Sequence, residues 1–266
     1  MAFYLGNKFI LTGEYKIDPY ALFVFFSTLV LYTVHRIYGL NKQKGTLPLR
    51  YEWAGKNLNF LYGFVLVSGI ASAFFAIHII QPHSYLLLVF ITGISFSYTF
   101  PFIPTANGLI RLKDIPFLKP IFISIVVVGV TIILPQYNLH HSFTFFTTHI
   151  ALVCSAQFFL VLSLTFLFDI RDIDQDKENS IPTLPVAFGV KTTQLISNIC
   201  VAFYMILFTI LFLKNNISVE SYYAMLGVGV LTFATILFSE KFKHPIWYMV
   251  VADGLMGMQA VLLWMM

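Results

Sequence analysis

Charge is scarce in this chain. Only 11% of its 266 residues are Asp, Glu, Lys or Arg, against about 25% in soluble domains, and 58% are hydrophobic. That shortage leaves almost nothing for a soluble domain. Acids are rarer still, twelve in all, and none falls between Asp18 and Glu52. Cysteine is limited to Cys154 and Cys200, both inside apolar runs, which excludes a disulfide framework and leaves two buried thiols. No cleavable signal pattern is expected, because Lys8, Glu14, Lys16 and Asp18 interrupt residues 1–18. No repeat, nucleotide-binding loop or Ser-His-Asp order stands out, and no nucleic-acid partner is expected.

What the chain has in abundance is apolar length. Mean hydropathy is +0.82, and Phe alone contributes 29 residues. A spanning helix needs about 20 mostly apolar residues. Eight runs qualify: 19–40, 58–80, 84–101, 117–134, 145–168, 193–213, 220–238 and 245–264. These predict an all-α polytopic membrane bundle of about eight helices, formed by one domain over residues 1–266. Residues 1–18 are too polar to span and are expected in the interface. Of the sixteen basic residues, thirteen fall in alternate loops (36–57, 102–119, 169–192 and 239–244) and three on the opposite side. Basic residues concentrate in cytoplasmic loops. The split therefore predicts an integral, multi-pass protein with both termini outside and residues 169–192 facing the cytoplasm.

Five of the twelve acids sit in one patch: Asp169, Asp172, Asp174, Asp176 and Glu178, directly after the fifth apolar run. At about 100° per residue, positions 169, 172 and 176 of a helix fall within roughly 60° of one another, and Asp174 lies about 140° from Asp169. Aligned carboxylates suit a hard cation such as Mg²⁺, which takes one or two of them and completes its shell with water and phosphate oxygens. The competing reading is a solvated acidic loop. The loop between Pro101 and Pro120 is basic, with Arg111, Lys113 and Lys119, and is expected on the same side. Opposite a carboxylate–metal site, such a loop would complete a diphosphate pocket. Equally, it could only hold topology and anionic lipid.

Asp169-x-x-Asp172-x-x-x-Asp176, followed by Thr183-Leu184-Pro185-Val186 and Gly189, resembles the second aspartate motif of the UbiA superfamily of intramembrane prenyltransferases. The resemblance implies a helical bundle around a central cavity and a Mg²⁺-dependent alkyl transfer from a prenyl diphosphate to a lipophilic acceptor, by family default an aromatic or quinone precursor. It gives Asp169, Asp172 and Asp176 the metal role, with Asp172 and Asp176 catalytic. Arg36, Arg111, Lys113 and Lys119 are the candidate diphosphate ligands, and His35, Tyr98 and Asp253 the weaker acceptor or pocket candidates. Three departures stand out. The family's first aspartate motif has no counterpart, and His35 and Arg36 occupy its stretch. The residue four after Tyr98 is Phe102 where the family often has Lys. Eight helices are expected where the family usually has nine, the missing one being the first.

Asp253 falls near the middle of the last apolar run. An acid there is a functional candidate, or is hydrogen-bonded to a neighbouring helix through a partner such as Gln259. Gln157 raises the same question. His140, His141 and His149 lack a carboxylate or Cys partner nearby. Gly227-x-Gly229 and Gly254-x-x-Gly257 read as close helix contacts. Two rival readings remain open: a non-catalytic relative that binds an isoprenoid lipid, favoured by the lost motif, and a small transporter, disfavoured by the Thr-Leu-Pro-Val segment.

Overall fold

Lipid offers no partners to backbone N–H and C=O groups, so long apolar runs fold as helices. A computed structural model describes residues 1–266 apart from 43–48, 106–107, 179–180, 242–247 and 266. Lys44 and Lys243, which enter the loop-charge argument, lie outside the described residues. In chain order the helices are α1 (Ala2–Thr12), α2 (Pro19–Lys42), α3 (Leu49–Lys56), α4 (Leu58–Ile79), α5 (Tyr85–Thr99), α6 (Lys119–Val128), α7 (Leu134–His140) and α8 (Thr148–Arg171). They are followed by α9 (Ile173–Glu178), α10 (Leu184–Phe188), α11 (Val190–Leu213), α12 (Val219–Phe238) and α13 (Asp253–Trp264). A short hairpin, β1 (Ile103–Thr105) and β2 (Gly108–Ile110), lies between α5 and α6.

Among the described residues six stretches are long and apolar enough to cross a membrane: Pro19–Leu40, Leu58–Ile79, Lys119–His140, Thr148–Arg171, Val190–Leu213 and Val219–Phe238. The protein is an all-α, multi-pass integral membrane protein. The count of eight is not reached on length. The expected third span is α5, with 15 residues; at 1.5 Å per residue that is about 22 Å, short of a hydrocarbon core of ~30 Å. The expected eighth is the shorter helix Val250–Trp264, whose start is a π-helical turn, Tyr248–Ala252.

Contacts divide the chain into two compact units, Met1 with 16–85 and 2–15 with 86–266. In the first, Asp18 accepts the Ala21 N–H at 2.8 Å and Pro19 opens α2. Helices α2 and α4 pack together, with the Ser27 and Ser72 hydroxyls 2.8 Å apart and the Phe26 and Phe75 rings stacked at 6.0 Å. Ile37, Leu40, Ala54 and Leu61 tie in α3. Only 11% of the α4 apolar stretch is buried, and Leu66, Val67, Ile70 and Ile77 project outward. In a bilayer that face meets acyl chains.

The second unit is assembled on α8, of whose most apolar 18 residues 72% are buried. Thr147 caps its start by accepting the Ile150 N–H. Val153, Ala156, Leu160, Val161, Leu164 and Leu167 are fully enclosed against α6, α11 and α12. Ser197 of α11 donates to the Ser163 carbonyl of α8 at 2.8 Å. Gly229 lets α12 approach α11: a Cβ there would lie 2.7 Å from Met205 Cγ. Helices α6 and α7 are joined through a π-helical turn, Gly129–Ile133, so the chain is helical from Lys119 to His140.

Helix α1 corrects the interfacial expectation for residues 1–18. Phe3, Tyr4, Leu5, Asn7 and Ile10 are buried, and α1 packs on α13. The physical reason is a polar thread that satisfies Asn7 inside the bundle. Gln157 Nε2 donates to Gln259 Oε1 at 3.0 Å, and Gln259 Nε2 reaches the Phe3 carbonyl and Asn7 Oδ1 at 3.2 and 3.3 Å. Asn7 Nδ2 continues to Thr131 Oγ1 at 3.3 Å. Gln157 and Gln259 thus cross-link α8, α13 and α1, with Gly6 leaving room for the Gln259 side chain.

Candidate functional site

The C-terminal end of α8 is where the charged side chains of the second unit converge. The basic loop first folds on itself. Ile103 pairs with Ile110 and Thr105 with Gly108 in the antiparallel hairpin. Arg111 then closes a turn on Asp114: its Nε and backbone N–H reach Oδ2 at 2.8 and 3.0 Å, and Nη2 reaches Oδ1 at 2.7 Å. Burial raises the Asp114 carboxyl, but these bonds and the guanidinium charge outweigh it and hold the group below its ordinary value. Phe117 follows with φ of 61°, an unusual conformation for a bulky residue. Its N–H donates to the Pro182 carbonyl at 3.4 Å, and its ring lies 5.8 Å from that of Phe188. The basic loop is thereby tied to the segment that trails the aspartates.

The aspartates take two different partners. Asp169 is 1% exposed and Asp176 6% exposed. Lys119 Nζ, at the first residue of α6, lies 2.6 Å from Asp169 Oδ1 and 3.8 Å from Asp176 Oδ2. Asp172 is instead held by the adjacent Arg171, whose Nε and Nη2 each bond it at 2.9 Å while the guanidinium lies 4.9 Å above the Phe168 ring. Asp174 is exposed. Burial first, and the Asp172 charge second, push the Asp176 carboxyl above the usual range against the pull of Lys119.

Lys113 completes the cluster. Its ammonium lies 5.9 Å from the centre of the Tyr98 ring. Burial, then the Arg111 and Lys119 charges, push its pKa down to about 8. Among the described residues no carboxylate lies within ion-pair distance of it. Of the four candidate diphosphate ligands, Lys113 and Lys119 therefore line the acidic end of α8. Arg111 faces its own Asp114, and Arg36, with His35, is half-buried near the end of α2 in the first unit. Asp253 is exposed at the first residue of α13, just after the π-helical turn, and Gln259 bonds the polar thread rather than Asp253.

The donor set decides what cation fits. Asp169 Oδ2 and Asp176 Oδ2 are buried without a hydrogen-bond partner. Two such hard oxygens suit a divalent ion that takes its remaining ligands from water and phosphate. A three-carboxylate cage is not assembled: among the described residues no three His, Cys, Asp or Glu side chains gather to hold a metal. Two features of the site escape the sequence reading. The Arg111–Asp114 turn has a local signal, opposite charges three residues apart. The Lys119–Asp169 contact spans fifty positions and has none. An open, mainly apolar groove of about 350 Å³ lies between the Lys119–His140 stretch and α8, lined by Ile125, Val128, Ile133, Cys154, Ser155, Phe158 and Phe159.

Comparison with known proteins gives one family and one fold. The model of the UbiA prenyltransferase family matches residues 57–249. No curated protein matches the sequence. Among solved structures, an apo UbiA homolog from Aeropyrum pernix K1 is 13% identical with a TM-score of 0.69, covering 100% of this chain and 97% of that one. A UbiA homolog from Archaeoglobus fulgidus bound to GPP and Mg²⁺ is 15% identical with a TM-score of 0.60, covering 98% and 93%. A digeranylgeranylglyceryl phosphate synthase is 14% identical with a TM-score of 0.59, covering 98% and 90%.

Proposed function

The chain belongs to the UbiA prenyltransferase family, and from that premise we propose that it transfers a prenyl group from a prenyl diphosphate to a lipophilic acceptor within the membrane. The observation that carries this reading is the buried Asp169–Asp176 pair at the tip of α8, flanked by Lys113 and Lys119. Its chemistry is that of a cation and diphosphate site, and a similar fold from Archaeoglobus fulgidus holds GPP and Mg²⁺. Asp169 and Asp176 would hold the ion. Magnesium, when bound there, would withdraw charge from the departing diphosphate. Lys113 and Lys119 supply point charges for the remaining phosphate oxygens. Asp172 is held by Arg171. The open apolar groove between α6 and α8 lies along the helices that carry Lys119 and Asp169 and would receive part of the prenyl chain. An aromatic or quinone precursor is the acceptor class this reading favours.

The test is turnover. The purified protein in detergent is given labelled geranyl, farnesyl and longer diphosphates with Mg²⁺ and assayed for diphosphate release. Release that disappears in Asp169→Asn and Asp176→Asn supports the proposal. A second reading, a non-catalytic isoprenoid-binding relative, rests on the absence of any acid between Asp18 and Glu52. Saturable binding of the labelled diphosphates with no release would favour it.

A further inference from the structure

We infer that Lys119 is the resident cation of the Asp169–Asp176 pair, and that a divalent ion reaches those carboxylates only when the Lys119 ammonium moves onto an incoming diphosphate. The inference rests on the proposed diphosphate reading and adds a control to it. The ammonium sits 2.6 Å from Asp169 Oδ1 and 3.8 Å from Asp176 Oδ2, with its side chain 15% exposed. An ammonium and a hard metal ion seek the same oxygens, and both cannot occupy one place.

Expelling a buried ammonium with no new partner is unfavourable, because an unpaired charge is left in a poorly solvated site. A divalent ion alone must therefore work against Lys119. A diphosphate changes that balance, since it offers the ammonium an anionic partner as the ion arrives. The flexible four-carbon stem allows the move, where a planar guanidinium would resist it. Lys119 opens α6, so its stem leaves from a helix end beside the basic loop. The consequence is ordered loading: diphosphate and metal enter together, and free metal is held off.

The experiment is equilibrium dialysis of the detergent-purified protein against Mn²⁺, with and without inorganic pyrophosphate, scored as the excess metal retained on the protein side over a protein-free control. Wild type is expected to bind Mn²⁺ with pyrophosphate present and poorly without it. Lys119→Gln is expected to bind Mn²⁺ alone about tenfold more tightly than wild type, the scale of relieving one buried charge pair. The gain disappears in Lys119→Gln combined with Asp169→Asn. If Lys119→Gln does not survive extraction, Lys119→Arg keeps the charge; its forked grip on both carboxylates is expected to weaken Mn²⁺–pyrophosphate binding about tenfold. Wild type that binds Mn²⁺ with pyrophosphate, while Lys119→Gln gains nothing for Mn²⁺ alone or Lys119→Arg loses nothing, overturns the inference and leaves the diphosphate reading standing. No Mn²⁺–pyrophosphate binding by wild type or either variant overturns both.

Discussion

Helices α2 and α8 are both 24 residues long, yet their C-terminal ends carry opposite chemistry. The α2 end offers His35 and Arg36, with no acid between Asp18 and Glu52. The α8 end delivers Asp169 and Asp172, with Asp176 one short helix later, and two of those acids are almost wholly buried. The contrast shows where a cation can be held. Among the described residues the buried carboxylates gather at the end of α8, where Lys119 is placed on them.

The comparison breaks most sharply at Asp169. Asp169→Ala leaves the Lys119 ammonium with only Asp176 at 3.8 Å, and loss of one partner from a buried pair costs about 3 kcal/mol. We expect a lowered melting temperature in detergent and diphosphate release reduced about 100-fold or more. Asp172→Asn, by contrast, loosens a pair that lies nearer the surface with Arg171 and is expected to reduce release about tenfold.

Lys113→Met comes next. It removes the one ammonium of the cluster that no described carboxylate pairs with, and it is expected to weaken pyrophosphate binding about tenfold, measured by competition with a labelled prenyl diphosphate.

The smallest effect is a pH dependence. Folded Lys113 gives up its proton near pH 8, and the unfolded chain holds that proton to about 10.4. Between those values the unfolded state binds more protons, so stability rises with pH. Thermal melts of the ligand-free protein are expected to shift upward from pH 8 toward pH 10, and Lys113→Met to flatten that rise.

Much of this molecule was legible in its sequence, for identifiable reasons. Apolar length predicts most of the helices, since lipid leaves the backbone no alternative. The Asp-x-x-Asp-x-x-x-Asp spacing points to the candidate site, but the expected single helix is broken: α8 ends at Arg171, Asp172 is its C-cap, and Asp176 lies on the next helix. What the sequence could not supply is partner choice. Nothing local says that Asp172 turns to Arg171 while Asp169 and Asp176 turn to Lys119. Hydropathy also failed to rank environments: α4 and α8 have similar values, 2.1 and 2.3, yet 11% of one and 72% of the other is buried. Helix α1 was misjudged because Asn7 reads as a surface residue until Gln259 and Thr131 meet it.

The most direct measurement is the Mn²⁺ affinity of the protein in the presence of pyrophosphate, compared between wild type and the double variant Asp169→Asn, Asp176→Asn. The account predicts binding in wild type and its loss in the variant, with the melting curve of the variant still cooperative. Undiminished Mn²⁺ binding by that folded variant would contradict it and move the cation site away from the end of α8.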